Sequence, residues 1–312
     1  MSGPVRATDV WRDPTHPEAG PPPGPPPELA VTPSRTADVG GMPVRRALPQ
    51  RGRRTVGAWC FADHMGPHDV GPDASVDIGP HPHCGLHTVT WLTEGRLLHR
   101  DSLGSEQPIR PGQLNLMTAG RGVSHSEESL DWSGRLQGIQ LWVAQPEATR
   151  HGPAAFEHHD TLPQVELDGA TATVLVGAFG GVRSPARADT ELVGVDLVLR
   201  GPTTHALDPS FEHALVVIEG AVQVGGQDPV GPGHLVYLAP GHDELPLAPV
   251  GPTRLLVLGG VPFESPILMW WNFVARTREE VDEATREWNA GSDRFGDPDS
   301  PLPRIPAPAT PW

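Results

Sequence analysis

Two short histidine-containing segments carry the side chains best suited to chemistry. In GPHPHCGLHT, His81 and His83 stand two residues apart, and in GRGVSHSEES, His125 and Glu127 have the same spacing. Successive side chains of a β-strand point to opposite faces, so each pair shares a face if its segment is extended. Imidazole and carboxylate groups are ligands of first-row transition metals. Either pair alone is a weak signal, but the two together predict a metal site.

Three more residues near these pairs are candidates for a supporting role. His87 has the same parity as His81, and two interpretations stay open: a further metal ligand, or a residue that lines the pocket beside the ligands. His99 and Asp101, in LLHRDS, also share a face of a predicted strand. They would either orient a ligand or substrate, or lie exposed on that strand.

Short β-strands are the elements that must position these residues. From about Val44 onward, apolar runs such as HTVTWLTEG, RLLHRDSL and LQGIQLWVA follow one another, separated by Gly, Pro and Asp. Their length and spacing favour a sandwich or barrel over βαβ units. A second β set starts near Ala170, where VIEGAVQV and GPGHLVYLAPG repeat the pattern of LTEGRLL and RPGQLNLMTAG. We therefore predict an all-β chain of two similar domains.

The Gly- and Pro-containing segments between the strands also suggest where the chain divides into domains. The first segment is rich in Pro and Gly and is predicted to be a disordered arm, because such a composition cannot build a packed core. The predicted segments are the arm (1–30), a metal-binding domain (31–150), a second domain without metal (151–275), and a helix with a Pro-rich tail (276–312).

A helix is predicted only near the C-terminus, in RTREEVDEATREWNAG. Thr277 with Glu280 three residues later forms a capping-box pattern, and Gly291 is a candidate for the end of the helix. The proline-rich tail that follows cannot be helical. It is either free or lies along the body of the protein, with Ile305 and Trp312 as anchors.

Composition and charge restrict the partners and the compartment. The formal net charge is -15, whereas a nucleic-acid-binding surface must be basic, so no direct nucleic-acid partner is expected. The sequence lacks the run of about 18 apolar residues that a membrane helix needs. Two cysteines, Cys60 and Cys84, are too few for a secreted disulfide scaffold, so we expect a cytoplasmic protein.

The motifs FADHMGP, HPHCGLHTVTWLTEG and LMTAGRGVSHSEE, in this order, resemble the pirin family of the cupin superfamily. The resemblance is close over residues 40–145 and looser through the C-terminal half. It implies a bicupin, in which two β-sandwich or barrel domains follow each other and only the first binds metal. It also implies that the metal ligands are His81, His83, His125 and Glu127.

One departure from the family bears on this ligand set. Pirins commonly have arginine and glutamate where this chain has Cys84 and His87, and cupins outside the pirins often use that glutamate as a ligand. The sequence therefore leaves open whether His87 binds the metal. Cys84 has the opposite parity and is predicted to face the other side of the sheet.

The resemblance also implies a cofactor and a reaction. Three imidazoles and one carboxylate suit Fe, Mn, Co, Ni, Cu or Zn, and similarity to pirins favours one iron ion, Fe²⁺. Some pirins resemble quercetin 2,3-dioxygenases, in which O₂ opens a flavonol ring and carbon monoxide is released. A small aromatic or enolic substrate would then lose a proton to Glu127 as general base. The alternative is a redox-sensing regulatory protein that binds metal and a protein partner without turnover.

Overall fold

The computed structural model describes residues 28–71, 74–129 and 132–312. Residues 1–27 of the predicted arm lie outside this described part. The strands of the first half are β1 (Leu29–Pro33), β2 (Arg35–Val39), β3 (Met42–Leu48), β4 (Trp59–Val70), β5 (Ile78–His83), β6 (Leu86–Glu94), β7 (Leu97–Asp101), β8 (Glu106–Ile109), β9 (Leu114–Thr118), β10 (Val123–Glu128) and β11 (Gly134–Ala144).

The second half continues with shorter strands and one helix. These elements are β12 (Ala155–His159), β13 (Gln164–Leu167), β14 (Ala170–Val176), β15 (Ala178–Phe179), β16 (Val182–Arg183), β17 (Leu192–Leu199), β18 (Thr203–Ala206), β19 (Glu212–Glu219), β20 (Val222–Val224), β21 (His234–Leu238), β22 (Glu244–Pro249), β23 (Thr253–Gly260), β24 (Leu268–Trp270), β25 (Phe273–Ala275) and α1 (Arg278–Asn289). The chain is therefore nearly all β, as the sequence predicts.

Two sandwiches of similar design account for most of these strands. In the first, a seven-stranded sheet of order β12-β9-β6-β11-β4-β3-β2 accompanies a four-stranded sheet of order β5-β10-β7-β8. In the second, a seven-stranded sheet of order β1-β21-β19-β23-β17-β14-β13 accompanies a three-stranded sheet of order β18-β22-β20. All the strand pairs are antiparallel, which suits a chain whose apolar runs are joined by short turns. This is the predicted two-domain β architecture.

One hydrophobic core is shared by the two large sheets. It contains fully buried residues from both, among them Trp59 and Leu141 from the first sheet and Leu256 from the second. The Trp59 indole N–H also donates to the Val193 and Gly259 carbonyls, each at 3.1 Å. Burying one large apolar side chain contributes roughly 1.5–3 kcal/mol, so this core can hold the fold together without a metal ion.

Successive side chains of the first large sheet point to opposite faces, so one face packs in the core and the other lines a cavity. On β11, Leu141 packs into the shared core while Gln140 and Trp142 point to the opposite face. On β4, Phe61 and Asp63 also line that opposite face. A cavity therefore lies between the seven-stranded sheet and the four-stranded sheet of the first sandwich.

Strand β1 joins the sheet of the second half rather than the first. Leu29 pairs with Leu238 and Pro33 with His234 along β21. We retain the division at residues 31–150, 151–275 and 276–312 as a proposal. In this division, β1 precedes the first domain in sequence but pairs with a strand of the second.

The C-terminal helix confirms the sequence prediction. The Thr277 hydroxyl accepts a hydrogen bond from the Glu280 backbone N–H at 3.3 Å, as a helix N-cap should. Gly291 follows the last turn with a φ of +67°, a conformation that glycine adopts without steric cost. Within the described residues, α1 is too short and too polar to be a bilayer-spanning helix.

Candidate metal centre

Neighbouring strands of the four-stranded sheet carry the predicted ligands. In the antiparallel pairing of β5 with β10, His125 lies opposite His81 and Val123 lies opposite His83. Both HPH and HSE fall inside single strands, so the two-residue spacing does put each pair on one face. The pairing then brings the two faces together.

Three imidazoles form a compact cluster at this point. Taking one ligand atom from each of His81, His83 and His125, all of these atoms lie within 4.8 Å of one another, and all three residues are buried. The ring centroids are 4.3 Å apart for His81 and His125 and 4.9 Å apart for His83 and His125. Spacing of this kind allows one ion to contact all three rings.

Hydrogen bonds to backbone carbonyls fix the orientation of two of the rings. The Nδ1 of His81 lies 2.9 Å from the Gly79 carbonyl, and the Nδ1 of His83 lies 3.1 Å from the Asn272 carbonyl. Because a carbonyl only accepts, each Nδ1 must carry the proton and donate it. The remaining Nε2 of each ring then keeps its lone pair, which is the form that binds a metal ion.

The Nε2 atoms of His83 and His125 face each other at 3.1 Å. Two bare lone pairs at this distance repel each other, and a cation placed between them would be attracted to both. The donor set of three neutral imidazoles therefore fits a shared first-row metal ion. The backbone and side-chain acceptors on the Nδ1 side give the arrangement that commonly supports metal-binding histidines.

Burial keeps these imidazoles neutral. It lowers the pKa of His81 to about 4, partly offset by the hydrogen bond to Gly79. Burial, followed by repulsion from the neighbouring imidazoles, holds the pKa values of His83 and His125 well below their ordinary values. A metal ion would not have to displace protons from these rings at neutral pH.

Glu127 lies in the same cavity but outside the three-residue cluster. The pairing of β10 with β5 shifts register after His125, since three residues of β5 oppose two of β10 there, and Glu127 lies opposite Ile78. Burial raises the pKa of Glu127, although the interactions with His99 and Thr90 oppose this. The carboxylate would have to shift toward the imidazoles to act as a fourth ligand.

His99 and Asp101 lie behind His125, not in the cavity. Strand β7 pairs with the other edge of β10, with Asp101 opposite His125 and His99 opposite Glu127. The two side chains form a buried hydrogen bond of 3.0 Å between His99 Nε2 and Asp101 Oδ2. Burial raises the pKa of Asp101, but hydrogen bonds from His99 and Ser105 outweigh it and hold that pKa below its ordinary value.

His87 does not face the imidazole cluster. Its Nδ1 lies 2.9 Å from the Thr118 hydroxyl and its Nε2 lies 3.1 Å from the Asp189 carboxylate, away from the cavity lining. Parity along the sequence fails here because Gly85, at φ +72°, makes the turn from β5 into β6, a strand of the other sheet. The interpretation of His87 as a ligand rested on one continuous strand, and the alternative of a residue that lines the pocket did not.

The cysteines lie apart from the site. Cys60 packs in an apolar cluster, and Cys84 packs against Phe273 and the residues of α1. Both are free and buried. Burial raises the pKa of Cys60 to about 12 and that of Cys84 to about 11, so both thiols stay protonated at neutral pH.

The cavity in front of the imidazoles has a volume of about 710 Å³. One wall is aromatic: Phe61 and Trp142 stack with ring centroids 4.1 Å apart, and the edge of His83 meets Trp142 at 5.1 Å. Above Phe61, the Arg46 guanidinium lies 4.6 Å from the ring centroid and binds Asp63 through two hydrogen bonds. Nothing in the local sequence marks these wall residues, because strand pairing brings them together from distant segments.

Residues from the end of the chain close the cavity. Trp270, Trp271, Asn272 and Ile305 all line it. Trp271 has a φ of +50°, an uncommon backbone conformation for a bulky residue, and the carbonyl that accepts from His83 belongs to the next residue. The turn between β24 and β25 thus helps to orient a proposed metal ligand.

The tail after α1 lies along the body of the protein. The Ile305 N–H donates to the Pro80 carbonyl at 2.9 Å, and the Trp288 indole N–H donates to the Ile305 carbonyl at 2.8 Å. The Asn289 side chain forms two hydrogen bonds with the backbone of Ala307. The tail therefore joins the helix to the strand that carries His81.

We predict that deleting residues 303–312 lowers the free energy of unfolding by about 3–9 kcal/mol, since the six hydrogen bonds of Arg304, Ile305 and Ala307, of roughly 0.5–1.5 kcal/mol each, are lost. Denaturant titration measures this change. Deleting only residues 310–312 is the control and should cost less than about 1 kcal/mol, because the Trp312 contact with Asp282 is exposed. Equal stability of the full-length chain and the 303–312 deletion would contradict a structural role for the tail.

Comparison with known proteins places the chain among related sequences. Residues 41–143 match the family model for Pirin, and residues 193–296 match the model for the Pirin C-terminal cupin domain. A Pseudomonas aeruginosa protein provisionally named a quercetin 2,3-dioxygenase is 45% identical over 89% of this chain and 90% of its own length. A Caulobacter vibrioides pirin-like protein is 36% identical over 86% of this chain and 97% of its own.

A solved structure agrees with these sequence matches. The crystal structure of a quercetin 2,3-dioxygenase from Acinetobacter baumannii has a TM-score of 0.88 and 44% identity, covering 91% of this chain and 96% of that one. The two matched family models fall on the two β-sandwiches described above.

Proposed function

This chain belongs to the pirin family, and we propose that it is a metal-dependent dioxygenase that opens the ring of a flavonol or a related enol with O₂. The observation that carries the proposal is the cluster of three neutral imidazoles at the wall of a 710 Å³ cavity. Cavities of roughly 300–1,000 Å³ suit small organic ligands. The likeness to the Acinetobacter baumannii quercetin 2,3-dioxygenase supports the choice of substrate class.

His81, His83 and His125 would hold the ion, with Glu127 as a fourth ligand after a small movement of its carboxylate. The donor set suits iron as Fe²⁺, our first choice, and also accommodates Zn, Mn, Ni, Co or Cu. When bound, the ion would supply Lewis acidity and a position at which substrate and O₂ meet. We propose that the second domain binds no metal.

The aromatic wall would seat a planar substrate. The rings of Phe61 and Trp142 line the cavity in a row that runs from Arg46, above Phe61, to His83, beside Trp142. A flat ring system lying along this wall would place one edge at the imidazoles. Offset stacking with such side chains contributes about 0.5–1.5 kcal/mol beyond the apolar area that is buried.

Glu127 would remove the proton of the enolic hydroxyl. Its pKa is raised by burial, which moves a carboxylate toward the range in which a general base works best near neutral pH. Enclosure of the cavity by Trp271 and Ile305 would restrict access of water.

The overall reaction balances without another oxidant. In a flavonol, the C2–C3 and C3–C4 bonds break, and C3 leaves with its own oxygen as carbon monoxide. Both atoms of O₂ are incorporated, one at C2 and one at C4. The product is one molecule that contains an ester and a carboxylic acid group. The proton taken up by Glu127 returns to the product. The four electrons that reduce the O₂ come from these three carbons, two from C2 and one each from C3 and C4.

The test is a measurement of oxygen uptake and carbon monoxide release by the iron-loaded protein with quercetin. One CO released for each O₂ consumed supports the proposal. Absence of oxygen uptake with flavonols and catechols, together with iron-dependent binding of a protein partner, would instead support a redox-sensing regulatory protein. A cytoplasmic location, consistent with the two free thiols, is part of either proposal.

A further inference from the structure

A buried hydrogen-bonded chain of three side chains leads away from the imidazole cluster. The Nδ1 atoms of His125 and His99 are 3.3 Å apart, and the Nε2 of His99 lies 3.0 Å from Asp101 Oδ2. The other carboxylate oxygen, Oδ1, accepts the backbone N–H groups of Leu103 at 2.9 Å and Ser105 at 3.0 Å. The carboxylate is thus held from both sides and acts only as an acceptor.

In a chain of neutral imidazoles, the carboxylate sets the position of every proton. Because Asp101 only accepts, the Nε2 of His99 carries a proton and donates it. A neutral His99 then has a lone pair at Nδ1, which must accept the proton on His125 Nδ1. The Nε2 of His125 is left bare, and this atom faces His83 Nε2 at 3.1 Å.

We propose that Asp101, acting through His99, holds His125 in the one tautomer whose Nε2 can bind a metal ion. Both are positioning residues, since neither lines the cavity. The inference rests on the proposed metal site but not on the reaction performed there. His81 and His83 need no such chain, because backbone carbonyls fix their tautomers directly.

Ring stacking holds the middle of this chain in place. His99 lies over Phe156 with ring centroids 4.5 Å apart and an interplanar angle of 13°. The side chains of His99 and Asp101 are 5% and 0% exposed, so water does not compete for their hydrogen bonds. Substitutions of matching shape can therefore change the hydrogen bonds with little change in packing.

The Asp101→Asn substitution should reverse the direction of hydrogen-bond donation from residue 101 through His99 to His125. The two backbone N–H groups at Leu103 and Ser105 require an acceptor, so the amide oxygen would take their side and the amide NH₂ would face His99. The Nε2 of His99 would then accept, its Nδ1 would donate to His125, and the His125 proton would move to Nε2. We expect Co²⁺ affinity to fall by about 10–100-fold.

The His99→Phe substitution should remove the chain without inverting it. Phenylalanine keeps the stacking on Phe156, and His125 is then free to take either tautomer. Co²⁺ binding should weaken less than in Asp101→Asn. The double variant His99→Phe/Asp101→Asn should bind Co²⁺ as His99→Phe does, so that one substitution partly rescues the other.

The experiment is competitive titration of Co²⁺ into each variant, followed by visible absorption of the bound ion. The Glu106→Gln variant is the control, since this exposed carboxylate binds Arg100 on the same hairpin and should not affect affinity. Nitrogen-15 NMR of histidine-labelled, metal-free protein gives a second readout: His125 should carry its proton on Nδ1 in the wild type and on Nε2 in Asp101→Asn.

Two results would overturn the inference. The first is a wild-type affinity in Asp101→Asn, and the second is a double variant that binds more weakly than Asp101→Asn. If the wild-type protein binds Co²⁺ tightly but shows no turnover, the proposed reaction fails while this inference stands. If the wild type binds no Co²⁺ and His125 nevertheless carries its proton on Nε2, the inference fails as well.

Discussion

Replacing Glu127 with glutamine should reduce kcat for flavonol oxygenation by about 10²–10⁴-fold while part of the metal affinity remains. The amide fills the same volume but cannot accept the proton of the enolic hydroxyl. Glu127 lies outside the three-imidazole cluster, so the rings can still hold an ion without it. Oxygen uptake measures kcat, and elemental analysis of the same sample measures the metal content.

The neighbouring residue gives a matched control for this variant. Glu128 lies on the same strand but points away, where it bonds to the Ser126 and Ser300 hydroxyls. The Glu128→Gln variant should keep the wild-type kcat. If kcat of Glu127→Gln were within a few-fold of the wild-type value at equal metal content, Glu127 would not be the general base.

The second large effect is expected for His83→Ala, which should lose the metal ion itself. One of only three clustered imidazoles is removed, so the affinity should fall by more than the 10–100-fold typical of supporting residues. The wild-type chain should carry one ion, and the variant close to none. Because the shared core of the two sandwiches does not include His83, the variant should remain folded.

His87→Ala is the comparison that separates the ligands from the other histidines. Its ring bonds to Thr118 and Asp189, so the variant should keep one ion per chain, even if it is less stable. Loss of the metal from folded His87→Ala protein would make His87 part of the site. Two ions per wild-type chain would contradict the proposal that the second domain binds none.

The extent to which the sequence predicts this site depends on where strands begin and end. The pairs at His81 and at His125 each lie inside one strand, so parity placed both side chains of each pair on a common face. His87 lies beyond the turn at Gly85 and on a different sheet, where parity counted from His81 has no meaning. Periodicity is a local property and ends with its element.

The residues that line the cavity could not be predicted from local sequence patterns. Phe61 and Trp142 come from β4 and β11, which pair along most of their length, and Ile305 comes from a tail far from both in sequence. Their meeting depends on long-range packing. The shared face of His99 and Asp101 was predictable, but their position behind His125 depends on the pairing of β7 with β10.

Anomalous diffraction at the iron absorption edge, from crystals of the Fe²⁺-loaded protein, tests whether His81, His83 and His125 hold the ion. We expect one peak per chain, about 2.0–2.2 Å from the Nε2 atoms of His81, His83 and His125. A peak at any other group of side chains, or no peak in protein shown to be loaded with iron, would contradict this expectation.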